Sequence, residues 1–494
     1  MSLPTLRILA LAAAGVVVGA TAGVIAGCAS NPATGGHDVV LTSEASEIEL
    51  GKRMHQQIMQ QYTRYDDEQL QAYVNELGQR IAAKSHRPDI QYTFTVLDSD
   101  EVNAFAVPGY VYVTRGIIVY LNSEAELVAV MGHEVGHITA RHQVRQQTGA
   151  TATSVGASVI GILTRSGDIA NVAGAAGTAL VRGYGRDMEL EADGLGAEYL
   201  NRLGYDPNAM IDVVRLLKNQ ELLEIQQARE EKREPHIYHG VFATHPDNDT
   251  RLKEVIAAAG KVDPHETRPD NRTVFLQHIN GMPFGPSRAQ GVVRGNRFYH
   301  ADMGVTMAFP SGWAIQNLPD KVLGVSPGKD AVLQVSTMAP PQGMPPKEFL
   351  TRALSGVRTD KDEPIEANGL QGYSAVAKEV ALPFGNRGPA RYAVIYFNNL
   401  AYVFMGATRI GAALPASDPL MMSSIKTFRR LKEREFELAE PDRIRLIKAT
   451  ADTRIAALAA KSPLPKYKSE RLRLLNDLYP DKEPKAGQVV KIVD

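Results

Sequence analysis

Two histidines four residues apart, with a glutamate beside the first, carry the clearest chemistry in this chain: His133-Glu134-Val135-Gly136-His137. On an α-helix, positions i and i+4 lie about 6 Å apart along the axis and on nearly the same face. Two imidazoles placed this way reach one Zn²⁺ at roughly 2.0–2.1 Å each. Glu134 then faces the open coordination position, where it can take a proton from a water that zinc has acidified to a pKa of about 7. The plain alternative is a pair of unrelated surface histidines. The surrounding sequence argues against it. Ser123, with Glu126 three residues later, reads as a capping box and starts a helix just ahead of the motif.

Such a site needs a third protein ligand. The downstream candidates are His142, Glu189, Glu191, Asp193 and His245. A helical pattern runs from Met188 to Leu203, so Glu189 and Asp193 share a face that can meet the first helix, and Glu191 points away. Glu189 as ligand, with Asp193 accepting a histidine N–H, is a consistent arrangement.

The motifs together resemble the HtpX/CaaX-prenyl-protease-type zinc metallopeptidases, the forty-eighth metallopeptidase family, and among them the periplasmic lipoprotein branch. The resemblance spans about residues 40–260. It rests on His133–His137 with Arg141-His142, on Arg186–Asp193 with Gly196, and on Gly204-Tyr205-Asp206-Pro207. It implies one Zn²⁺ per chain held by His133, His137 and Glu189, with Glu134 as the catalytic base and Asp193 as partner of a ligand. The family's hairpin motif matches Asn103-Ala104-Phe105-Ala106-Val107-Pro108-Gly109, with Tyr110 in place of a second glycine. By resemblance, Asn103 to Ala106 form the strand that holds substrate by sheet-edge pairing. Thr244-His245-Pro246 and Arg251 match a further family segment. It implies His245 and Arg251 as support for the metal site or the transition state. The implied fold is a mainly helical, zincin-like (gluzincin) domain with a small edge-strand sheet.

The elements that must position these residues are partly legible. Two helical patterns run between Ser43 and Ser85, a strand covers 92–97, and a hairpin turns at Pro108-Gly109. Residues 149–183 are rich in small residues and read as tightly packed helices rather than a membrane-dipping segment. The chain has 494 residues, enough for about three domains. We expect an α+β protein with a signal peptide over 1–28, a tether over 29–42, the peptidase domain over 43–265 and a linker over 266–296. An α+β module follows over 297–430, then a C-terminal unit over 431–494. Phe309-Pro310-Ser311-Gly312-Trp313 gives the module a resemblance to PsbP-like sandwiches, with Trp313 read as core. Ala451-Asp452-Thr453, Leu475-Asn476 and Gly487–Ile492 give the tail a resemblance to LysM modules, which bind peptidoglycan.

Net charge is −1, with 54 Lys+Arg against 55 Asp+Glu, which argues against nucleic acid as a partner. The single cysteine excludes an intramolecular disulfide and any CxxC site. That cysteine, Cys28, ends an uncharged run that begins after Arg7. Val24-Ile25-Ala26-Gly27-Cys28 resembles a bacterial lipobox, which implies lipidation at Cys28, and Ala29 after it favours the outer membrane by resemblance to sorting rules. The alternative is an uncleaved inner-membrane anchor. The expected function is hydrolysis of misfolded or misassembled envelope polypeptides. Non-proteolytic readings are an assembly chaperone or a peptidoglycan-binding lipoprotein.

Overall fold

The computed structural model describes residues 43–149, 184–235, 251, 254 and 269–494 other than 319, with short pieces at 28–30, 32–33, 35 and 37–39. His245 and residues 150–183 lie outside the described residues. After a short pair of antiparallel strands, β1 (Cys28–Ser30) and β2 (His37–Val39), come two helices, α1 (Glu44–Gln61) and α2 (Glu68–Lys84). Each helix has a side-chain cap: Ser43 accepts from Ser46 N–H and Asp67 from Leu70 N–H. Next are β3 (Thr93–Leu97), β4 (Ala104–Val107) and β5 (Tyr110–Thr114), in a sheet ordered β3-β5-β4. β4 and β5 are the hairpin expected at Pro108-Gly109, where Gly109 has φ +83°. β4 is therefore an edge strand of this sheet.

A short turn, α3 (Arg115–Ile118), leads into α4 (Glu124–Thr139), which carries both motif histidines and is buried along its whole length. Ser123 Oγ accepts from Glu126 N–H at 3.1 Å, as expected. The Glu126 carboxylate reaches past Ser123 and accepts instead from Asn122 N–H at 2.8 Å. Arg141 follows α4 in the left-handed region (φ 56°), reversing the chain into α5 (His142–Gly149). Buried ion pairs hold that reversal: Glu47 of α1 receives Arg87 at 3.0 Å and Arg141 at 2.9 Å, and Arg87 also donates to Ile138 O at 3.1 Å.

The described chain resumes with α6 (Arg186–Arg202), ends it at Gly204, and continues as α7 (Asn208–Glu230). α4 and α6 cross at small residues. A Cβ on Gly136 would sit 3.1 Å from Ala192 O, and one on Gly196 would sit 3.0 Å from His133 N. Only glycines allow this approach, and it sets the faces of α4 and α6 against each other.

The stretch 266–296 is more than the linker its Pro/Gly content suggests. It holds α8 (Arg272–Ile279), whose Phe275, Leu276 and Ile279 join the peptidase core, and β6 (Val292–Arg294). The middle unit packs two antiparallel sheets. One pairs β6 with β7 (Arg297–His300), β8 (Val305–Ala308) and, much later in sequence, β16 (Arg429–Arg430). The other has seven strands: β9 (Ala314–Asn317), β10 (Lys321–Val325), β11 (Ala331–Met338), β12 (Thr359–Ala367), β13 (Leu370–Ala381), β14 (Arg387–Phe397) and β15 (Leu400–Thr408). Helices α9 (Pro346–Ala353) and α10 (Leu414–Lys426) accompany them. Met307, Phe309, Leu333, Ile395 and Phe404 form the core of this unit, with Trp313 half-buried against it. The architecture is thus mixed α and β.

The C-terminal unit runs β17 (Ile444–Lys448), α11 (Ile455–Lys461), α12 (Lys468–Leu475) and β18 (Val489–Val493), with the two strands antiparallel. It does not form a core of its own. Ile444, Ile455, Leu472, Leu475 and Val493 belong to the same apolar cluster as Leu127, Met131 and Val135 of α4. Lys491, fully buried, donates from Nζ to Val119 O and Leu121 O at 2.7 Å and to Tyr120 O at 3.1 Å. These carbonyls lie at and just beyond the C-terminal end of α3, and Lys491 Nζ caps them, with Asn122 Nδ2 also donating to Tyr120 O at 2.9 Å.

Candidate metal centre

The face that α4 turns toward α6 carries His133 and His137, and the opposing face carries Glu189 and Asp193. All four side chains are buried. His133 Nε2 and His137 Nε2 lie 2.9 Å apart, and each is 3.6 Å from an oxygen of Glu189. Among the described residues, this is the group able to hold a metal ion. Ligands at about 2.0–2.1 Å around a tetrahedral ion sit roughly 3.3 Å from one another, so the observed separations fit one small divalent cation. Two imidazoles and a carboxylate, all buried, are also a donor set that suits zinc.

Each histidine is held from behind. His133 Nδ1 lies 2.8 Å from Asp193 Oδ1. Arg251 donates to both oxygens of Asp193 at 2.8 Å, and its Nη1 is 3.4 Å from Glu189 Oε2. Burial opposes ionisation of Asp193, but the Arg251 guanidinium outweighs it and holds the carboxyl well below the usual range. Arg251, in turn, is pushed down by burial and raised further by the carboxylates of Asp193, Glu189 and Glu134. The cluster is thus charged on both sides and internally compensated.

His137 has a separate support that sequence reasoning missed. Its Nδ1 is 2.7 Å from His142 Nδ1, and His142 Nε2 is 3.1 Å from Glu191 Oε2. Arg145 donates to the same Glu191 oxygen at 2.8 Å. Burial raises the Glu191 carboxyl, but His142 and Arg145 bring it down to about 2. Glu191, expected to point away from the metal, does so, and it buttresses the histidine that backs a ligand. His142 was among the candidate third ligands; the structure places it behind His137 instead. Tyr184, also unforeseen, stacks on the His137 ring at 4.1 Å between centroids.

Glu134 is buried on the same helix, one residue from His133. β4 packs against α4, which brings Ala104, Phe105 and Ala106 beside the motif helix on an edge strand, with Asn103 just ahead of it. Cys28 begins β1, far outside this cluster in sequence. Among the described residues no helix is long and apolar enough to cross a membrane.

Residues 68–259 match the sequence model of peptidase family M48, and every group of this cluster falls within them. This stretch of the chain is an M48 metallopeptidase domain. It is 31% identical over 241 residues to the Beta-barrel assembly-enhancing protease of Escherichia coli, covering 45% of this chain and 47% of that protein. The protein of the same name from Yersinia pestis is 31% identical over 227 residues, covering 44% of each chain. The Mitochondrial metalloendopeptidase OMA1 of Arabidopsis thaliana is 34% identical over 143 residues, covering 29% of each. The chain spans about half the length of the first two relatives. A solution structure of cyanobacterial PsbP from Synechocystis covers 28% of this chain and 96% of its own, with 14% identity and a TM-score of 0.23.

Proposed function

We propose that this protein is a zinc endopeptidase of the bacterial cell envelope that hydrolyses misfolded or misassembled envelope polypeptides. The observation that carries the reading is the convergence of His133, His137 and Glu189 within reach of one ion, beside Glu134. When bound there, zinc supplies Lewis-acid polarisation of the scissile carbonyl and acidification of water. The protein residues do the rest. Asp193 and His142 fix the ring orientations of His133 and His137, so the metal-facing nitrogens are preorganised. Arg251 keeps Asp193 ionised and in place. Glu134 takes the proton of the attacking water at its carboxylate and delivers it to the leaving amine. The edge strand β4, with Asn103 just ahead of it, aligns an extended peptide by main-chain hydrogen bonds, which suits unfolded polypeptides of many sequences. His245 belongs to this reading through resemblance alone, as support for the transition state.

The zincin-like character of the domain is supported by the helix pair that presents the ligands. The β-α-α-β order of residues 444–493 supports a LysM-like unit; peptidoglycan binding by it rests on resemblance. Localisation at the periplasmic face of the outer membrane, through lipidated Cys28, rests on the lipobox-like residues and on the name borne by the bacterial relatives.

The test compares wild type with Glu134→Gln on an unfolded protein such as casein, with zinc content measured for both. Retained zinc and a loss of about 10²–10⁴ in rate support the assignment. Undiminished cleavage by the variant refutes it. Bound zinc with no turnover by wild type on any unfolded protein favours the chaperone reading.

A further inference from the structure

The peptidase domain and the middle unit meet across a cleft of about 210 Å³, and none of the metal ligands lines it. Tyr62, Thr63 and Glu101 line it on the peptidase side, and Met303, Leu318 and Thr337 on the other. Thr63 and Thr337 are exposed, and neither hydroxyl makes a hydrogen bond among the described residues. Tyr62, Met303 and Leu318 are half-buried and add apolar surface between them. An apolar cavity of ~150 Å³ takes up benzene, so this space admits a large side chain.

The two walls are fixed relative to each other. Ser287 Oγ donates to Asp98 Oδ2 at 2.6 Å, Gln290 Nε2 to Asp98 O at 3.1 Å, and Asn317 Nδ2 to Gln290 O at 2.7 Å. A chain of bonds thus runs from the turn after β3 to the end of β9, and the cleft is preorganised.

The cleft also lies at the end of the small sheet where β4 begins. Glu101 precedes Ala104 by three residues, about 10 Å of extended chain. On the α1 face, the Tyr62 ring is 6.0 Å from the ring of Phe105 in β4. Side chains alternate along a strand, and residues paired across two strands share a face. A peptide residue opposite Phe105 therefore falls on the Tyr62 side, and a chain continuing past Asn103 is led into the cleft. Such a chain carries amides for Thr63 and Thr337 and side chains for Tyr62, Met303 and Leu318.

We infer that this cleft holds the flank of the same extended polypeptide whose core pairs with β4, so that the middle unit forms a second wall of the substrate groove. This rests on the peptidase reading of β4 as the substrate strand. It makes the enzyme sensitive to how far a substrate stays unfolded beyond the scissile bond, because a folded flank cannot enter.

The experiment uses the full zinc-loaded chain and three peptides that share one scissile segment taken from a casein digest. One is the core alone, one is extended by about six residues at its N-terminus, and one by as many at its C-terminus. An extension on the side that passes Asn103 should raise kcat/KM about tenfold over the core. Thr337→Trp, which fills the cleft from an exposed position, should bring that ratio down to about one, and Thr337→Ser should retain it. If Thr337→Trp does not fold, Thr63→Trp on the opposite wall decides by the same ratio. Cleavage of the core with no advantage for either extension, or an advantage that the tryptophan variant keeps, would overturn the inference and leave the peptidase reading standing. No cleavage of the core or of casein by wild type would refute both.

Discussion

Arg251 grips both carboxylate oxygens of Asp193, each at 2.8 Å, and so holds a buried carboxylate in its ionised form behind a metal-facing histidine. The guanidinium acts on the metal centre through Asp193. Asp193→Asn should therefore lower zinc affinity by about 10–100-fold. Arg251→Lys loses the two-pronged geometry and should follow in the same direction by a smaller factor. Competition with a chromogenic chelator measures both. A fall in kcat with unchanged zinc affinity in Arg251→Lys would instead put the guanidinium in contact with the reacting atoms.

Removal of the metal should loosen the domain as well as silence it. Three buried polar side chains converge on one point, and an ion bound by the folded state alone adds its binding free energy to stability. Dialysis against a chelator should lower the melting temperature, and added zinc should restore it in a concentration-dependent way. A melting temperature indifferent to zinc would count against the site.

The helix crossing is a second point of sensitivity. A Cβ at position 196 meets His133 N at 3.0 Å and Met210 Cε at 2.5 Å. Met210 can move its chain end, whereas the backbone of α4 cannot. Gly196→Val should cost about 1–3 kcal/mol in unfolding free energy. It should also weaken zinc binding, because it widens the gap between His133 and Glu189. Chemical denaturation and zinc titration on the same sample check the two effects together.

Glu126 gives the fold a pH dependence of definite sign. Burial raises its carboxyl to about 7, from an ordinary value of 4.5. A raised folded-state pKa contributes stability that is complete below about 4.5 and lost as pH rises through about 7. Thermal unfolding between pH 4.5 and 7 should show this loss in wild type and not in Glu126→Gln, which keeps an acceptor for Asn122 N–H. Lys491 opposes the shift, so Lys491→Met should move the loss to higher pH. Identical pH profiles for wild type and Glu126→Gln would contradict the assignment.

Periodicity explains what was legible beforehand. The spacing of His133 with His137, and of Glu189 with Asp193, converts directly into a shared helix face, so their meeting needed no knowledge of the rest of the fold. The β4–β5 hairpin was readable because Pro108-Gly109 interrupts an alternating pattern. The support from His142 was not readable. It depends on Arg141 taking a left-handed conformation that folds α5 back on α4, which no local pattern announces. The docking of residues 444–493 on the peptidase core was equally hidden, because side-chain composition does not say which apolar faces meet across hundreds of residues. β9 and β12 lie at the two edges of the seven-stranded sheet, where partial burial blurs the alternation that marks a strand.

The contact between Lys491 and the carbonyls of Val119, Tyr120 and Leu121 has a consequence in time. Val119 and Lys491 are 372 residues apart in sequence. A chain made in order from its N-terminus presents the histidine-bearing helix long before the lysine that caps the turn ahead of it. Until that lysine is in place, the carbonyls of Val119 and Leu121 and the apolar flank of α4 stay without their native cover. The packing around the histidine-bearing helix is thereby completed only when the C-terminal strand is in place.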